Sequence, residues 1–135
     1  MATLTQLPAS GKVISVREGQ VIFCPAGTNY EMYLICPGYS GPLNALTQGI
    51  VRVKARKIYT VPSGGLFITP IFGPPRIIQG RIRSIDENSM VLHAGGPIIV
   101  EFPGDDSAFD LANGGLSAGK IANVVALPGA TFEPQ

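Results

Sequence analysis

The stretch Gly11-Lys12-Val13-Ile14-Ser15-Val16-Arg17-Glu18 is repeated as Gly80-Arg81-Ile82-Arg83-Ser84-Ile85-Asp86-Glu87, an offset of 69 residues with three identities and three conservative replacements. A repeat at fixed order sets the architecture before any strand is assigned. The correspondence continues with small gaps. Met32-Tyr33-Leu34-Ile35-Cys36-Pro37-Gly38 matches Ile98-Ile99-Val100-Glu101-Phe102-Pro103-Gly104, and Leu46-Thr47-Gln48-Gly49 matches Leu111-Ala112-Asn113-Gly114. Lys57-Ile58 then matches Lys120-Ile121, and Phe67 matches Phe132.

Runs rich in β-branched residues, punctuated by Gly, Pro and Asn, predict strands in both copies. In the first they fall near 11–17, 20–25, 30–36, 50–60 and 66–71. In the second they fall near 79–86, 89–93, 97–102, 119–126 and 130–133. Between the third and fourth strands a short helical turn is expected in each copy. Asp105-Asp106-Ser107 supplies caps and Asn113-Gly114 a left-handed exit, while the counterpart Ser40–Gly49 has Pro42 at a position suited to a helix start. Gly64-Gly65 and Gly95-Gly96 read as hairpin turns.

The expected class is all-β: two tandem OB-like or SH3-like small barrels arising by internal duplication, each with five strands and one helical turn. The alternative is a single β-sandwich or barrel built jointly from both repeats. Strict alternation puts Val13 and Val16 on opposite faces, so a bulge or sharp coil is implied in the first strand. The expected organisation is an N-terminal arm at 1–10, a first repeat at 11–72, a Pro-rich junction at 73–79 and a second repeat at 80–135. In strand order, two tandem OB-like units of this length resemble the paired molybdate-binding Mop-type domains. That resemblance implies a small-oxyanion site at repeat or subunit interfaces and carries no motif onto particular residues.

Charge is scarce. Only 14% of the 135 residues are charged, against 45% apolar, with 17 Gly and 12 Pro. About 25% charge is usual for a soluble domain, so part of this surface is expected to be covered by a partner or by sister copies. No basic cluster followed by an apolar stretch marks a signal peptide, and no run approaches a membrane span. A cytoplasmic protein with no membrane contact is the expectation. Cys24 and Cys36 are read as buried free thiols.

Catalytic constellations are not found in the sequence. His93 is the only histidine and sits in a predicted strand, where a structural role is expected. Cys24 and His93 occupy equivalent repeat positions, but with Cys36 they make at most three of the four ligands a structural zinc needs. Asp105, Asp106 and Asp110 form an acidic cluster without EF-hand spacing. No enzyme activity, no cofactor and no metal are expected.

The net charge of +1 conceals a separation. From Met32 to Ile85 there is no acid, and Arg52, Lys54, Arg56, Lys57, Arg76, Arg81 and Arg83 stand alone; from Asp86 onward there are seven acids and only Lys120. Arg52, Lys54 and Arg56 alternate with Val51, Val53 and Ala55, which places three cations on one face of a strand. Such a stripe is a solvated face, a self-assembly surface or a track for a phosphate backbone with Tyr59 or Phe67 for stacking. The apolar segment Leu66–Pro75 joins the repeats, and its Phe67 and Phe72 are expected to plug the core between them, the alternative being an exposed docking surface.

The expected function is a non-enzymatic structural or assembly module that forms a homo-oligomer or docks onto a larger complex. The candidate partner-binding residues are Arg52, Lys54, Arg56, Lys57, Arg81, Arg83, Asp105, Asp106, Phe67 and Phe72. The alternatives are a single-stranded nucleic-acid-binding OB-like module and a small-oxyanion-binding tandem domain. Nucleic acid ranks below assembly because the near-neutral total and the lack of Trp oppose it.

Overall fold

The computed structural model describes residues 8–112 and 114–135. Each copy of the quoted stretch forms the first arm of a bent hairpin. β1 (Ala9–Arg17) pairs antiparallel with β2 (Gln20–Pro25), and β7 (Ile77–Ile85) pairs antiparallel with β8 (Ser89–His93). The register slips between Val13 and Ser15 in the first hairpin and between Ile82 and Ser84 in the second, leaving Ile14 and Arg83 as the extra residues. Such a bulge bends a strand and increases its twist, as the Val13/Val16 spacing requires.

The glycines that open the two stretches have a matching steric role. A Cβ on Gly11 would strike the carbonyl of Cys24 and the ring of Phe23, and one on Gly80 would lie 2.6 Å from the His93 carbonyl oxygen and 2.9 Å from Leu92 Cγ. Both hairpins therefore bring backbone onto backbone at a point where no side chain fits.

The remaining strands are β3 (Glu31–Ile35), β4 (Leu46–Val61), β5 (Phe67–Thr69), β6 (Phe72–Gly73), β9 (Pro97–Glu101), β10 (Phe109–Asp110), β11 (Ile121–Ala126) and β12 (Thr131–Pro134). All twelve belong to one mixed sheet. The 16-residue β4 organises it. Along its length β4 pairs antiparallel with β1, then with β12, runs parallel to β9, and finally lies between antiparallel β11 and parallel β10. Followed in order, the pairings β1-β2-β3-β12-β4 return to β1, and β7-β8-β9-β4-β11 return to β7.

This corrects the picture of two tandem barrels that each close on their own five strands. β12, from the second half, lies between β3 and β4, while β4, from the first half, pairs with β9, β10 and β11. The strand expected at 66–71 does not close the first half. Only Phe67–Thr69 pairs, and its partner is β7. Pro70 follows at once, and a residue without an N–H cannot continue a ladder. Phe132 consequently sits opposite Val51 and stacks on Phe23, with ring centroids 4.8 Å apart.

Shared strands give a shared interior. Val13, Phe23 and Leu34 of the first half belong to the same buried cluster as Ile82, Leu92 and Val124 of the second, with Val53 and Ile58 of β4 between them. Each such side chain contributes about 1.5–3 kcal/mol through burial.

Two further local expectations fail. Ser40–Gly49 forms no helix, because Asn44 takes a left-handed φ of 58° and donates its N–H to the Val13 carbonyl, after which β4 begins at Leu46. The corresponding turn in the second half is present as a 3-10 helix, Asp106–Ala108, capped by Asp105. Gly95-Gly96 does join two paired strands, but Gly64-Gly65 links β4 to β5, which do not pair with each other. The arm at 1–10 contributes Ala9 and Ser10 to β1, and residues 1–7 lie outside the described residues.

Candidate interaction surface

The cation stripe forms as the alternation predicts. Val51, Val53 and Ala55 are buried, Arg52 is half-buried, and Lys54 and Arg56 are exposed. The register of β11 on β4 slips at Arg56, with Val125 opposite Lys57 and Ala126 opposite Ala55. The bulge resets the alternation, so Ile58 returns to the interior while Lys57 lies over the Tyr59 ring at 5.0 Å. Arg81 and Arg83 are separate from the stripe. They lie on β7 beyond the intervening β11, and Arg81 donates to the Gly119 carbonyl at 2.7 Å.

Glu101 and the acids of the turn Asp105–Asp110 follow β4 along its other edge. Ile58 and Tyr59 pair with β10 on one side and with β11 on the other, so the turn that leads into β10 stands across β4 from β11. Asp105 accepts hydrogen bonds from the Ser107 backbone N–H and hydroxyl, which hold its carboxyl below the usual carboxylate range. Asp110 accepts from the Ala112 N–H. Among the described residues the single ion pair is Arg52 with Glu101, at 3.8 Å. Arg52 and Glu101 thus join the cation stripe to the acids beside it on β9. These acids build no metal cage: no group of three or more His, Cys, Asp or Glu side chains with metal-binding geometry occurs among the described residues.

The segment between the halves forms a strap. β5 adds to β7, β6 adds to β3, and the Glu31 N–H donates to the Ile71 carbonyl. Tyr30 Oη accepts from the Ile68 N–H. Phe67 is half-buried, but Phe72 is 61% exposed, and the buried side chains of the strap are Ile68 and Pro75. The expectation that Phe72 plugs the core is therefore wrong. The strap changes partner between β5, which lies on β7, and β6, which lies on β3, so the alternation of one strand does not carry into the other and Ile71 and Phe72 both stand outside. Leu66, Ile71 and Phe72 form its exposed apolar residues.

Behind the strap lies a groove of about 840 Å³, between β4, β7 and the end of β11. Arg56 and Arg76 stand in its lining with Pro70, Pro75, Ile77 and Leu127, and no acid does. Neither Arg76 nor this groove was singled out from the sequence. Arg76 lies 20 residues from Arg56 in the chain, and β11 brings them together by pairing with β4 on one side and β7 on the other.

Cys24 and Cys36 are free thiols, but only Cys36 is buried, which raises its pKa, while Cys24 is half-buried against the expectation. Cys24 and His93 do hold matching places, opposite Lys12 and Arg81 in their hairpins. No helix among the described residues is long and apolar enough to cross a membrane. Comparison with protein-family models, with curated proteins and with solved structures finds no match for this chain.

Proposed function

We propose that this chain is a non-enzymatic assembly module, built from two interlocked OB-like units and associating with copies of itself. The OB-like reading is supported by the two circuits of strands. In the first the order is first, second, third, fifth, fourth, with the third and fifth strands parallel, as in a small Greek-key barrel closed by five strands; in the second, β4 of the first half takes the fifth strand's place, parallel to β9. The duplication reading is supported by the bulges and glycine contacts that recur 69 residues apart.

The observation that carries the assembly reading is the strap. Ile71 and Phe72, 54% and 61% exposed, stand side by side with Leu66 near them in sequence, on a chain in which charge is scarce. Exposed apolar clusters of this kind mark contact surfaces. Replacing both, Ile71→Lys with Phe72→Lys, is expected to weaken self-association, lowering the native mass at a given concentration, without unfolding the chain, since neither side chain contributes to the buried cluster. An unchanged native mass in light scattering removes the strap as a contact.

The second reading, a single-stranded nucleic-acid binder, is favoured by Arg52, Lys54 and Arg56 standing in line on β4 with Tyr59 beyond them. It requires oligonucleotide binding that weakens steeply with salt. Absence of binding at low salt eliminates it.

A further inference from the structure

We propose that copies of this chain join head to tail, the acidic turn Asp105–Asp110 of one molecule seating in the arginine-lined groove of the next. This rests on the self-association reading above and adds to the strap a charged contact, since Ile71 and Phe72 do not line the groove.

The groove holds two guanidinium groups, Arg56 and Arg76, over a floor of Pro70, Pro75, Ile77 and Leu127, and no carboxylate of its own chain lines it. Neither arginine takes part in an ion pair among the described residues. Ile77 and Leu127 remain 37% and 39% exposed there. The occupant must therefore bring negative charge together with an apolar group.

The acidic turn has that composition. Asp105, Asp106 and Asp110 are exposed, none is within ion-pair distance of a cation among the described residues, and Leu111, next along the chain, is 42% exposed. Its own fold holds it in shape: Phe109 packs edge-on against Phe102 at 5.7 Å, and the Asp105 cap fixes the turn. A preformed, rigid turn loses little entropy on docking. Arg–carboxylate pairs are the geometry in which a guanidinium fork binds most strongly.

The two surfaces cannot satisfy each other within one molecule. The groove opens on the β11 side of β4, and the turn stands on the β10 side. Unlike surfaces on opposite edges make a heterologous contact, which yields rings or filaments instead of an isologous dimer.

The test uses two variants of the full chain, Arg56→Glu with Arg76→Glu and Asp106→Lys with Asp110→Lys. The second leaves the Asp105 cap in place. Each alone is expected to need roughly tenfold or more protein to associate. Mixed in equal amounts, they should associate again, because the intact turn of the first meets the intact groove of the second and the reversed surfaces, acidic groove and basic turn, are complementary as well. Far-UV circular dichroism checks that both fold; if one does not, Arg→Gln and Asp→Asn versions are tested for the same loss of association. A wild-type oligomer that either variant pair leaves intact, or a mixture that stays monomeric, overturns the head-to-tail contact while self-association stands. A wild-type monomer overturns both.

Discussion

Phe132→Ala is expected to lower stability by about 3–5 kcal/mol, the range for removing a large ring from a packed core, and to melt both halves together. Phe132 is 3% exposed, stacks on Phe23 at 4.8 Å and meets Tyr39 edge-on at 6.4 Å. It also fills the space beside Gly49, where a Cβ would strike its ring. β12 is short, four residues, and its ring is the part of it that reaches the core. Removing that ring weakens the closure of β1-β2-β3 against β4, although all four of those strands precede it by 70 residues or more in the chain. Thermal unfolding should remain a single transition with a midpoint lower by roughly 10 °C or more. A two-step melt in which the second half keeps its wild-type midpoint would show that the halves do not depend on a shared core.

Gly11→Ala and Gly80→Ala should each cost about 1–3 kcal/mol, as overpacking does where the neighbour cannot yield. At Gly80 the obstacle is backbone, the His93 carbonyl, and at Gly11 it is the Cys24 carbonyl with the Phe23 ring behind it. Flexible side chains can step aside, but strand carbonyls held in a ladder cannot without breaking it. Gly104→Ala is the control: a Cβ there meets nothing within 4 Å, and the change should stay within about 0.5 kcal/mol. Chemical denaturation measures all three. Equal costs at Gly11 and Gly80 are the thermodynamic counterpart of the repeat, and a neutral Gly80→Ala would remove the close-approach explanation for it.

Much of the strand pattern was legible because it is local. The alternation Val51-Arg52-Val53-Lys54-Ala55-Arg56 required one buried and one exposed face, and the observed burial follows it. The spacing of Val13 and Val16 required a bulge, and the register slips there. β2 and β8 fall at the expected residues, and the Asp105 cap forms. What could not be read was which strand pairs with which. Residues 66–71 and 131–134 both have strand composition, and nothing local says that Pro70 cuts the first short while β12 takes the place beside β4. Ser40–Gly49 carried a helix signal at Pro42, but a tertiary bond from Asn44 to Val13 overrode it. The candidate surface was legible in the same measure. The stripe on β4 and the acidic turn were visible as patterns, whereas the groove joining Arg56 to Arg76 depends on β11 pairing with both β4 and β7. Phe72 was misplaced for the same reason: its exposure depends on the partner β6 takes.

A surface that meets another copy of the chain shows itself in the native mass of the purified protein. Light scattering over a range of protein concentrations at moderate salt is predicted to give a discrete multiple, or a growing series of multiples, of 14.2 kDa, shrinking as salt screens the charged contact. A mass of one chain at every concentration and ionic strength would contradict the account.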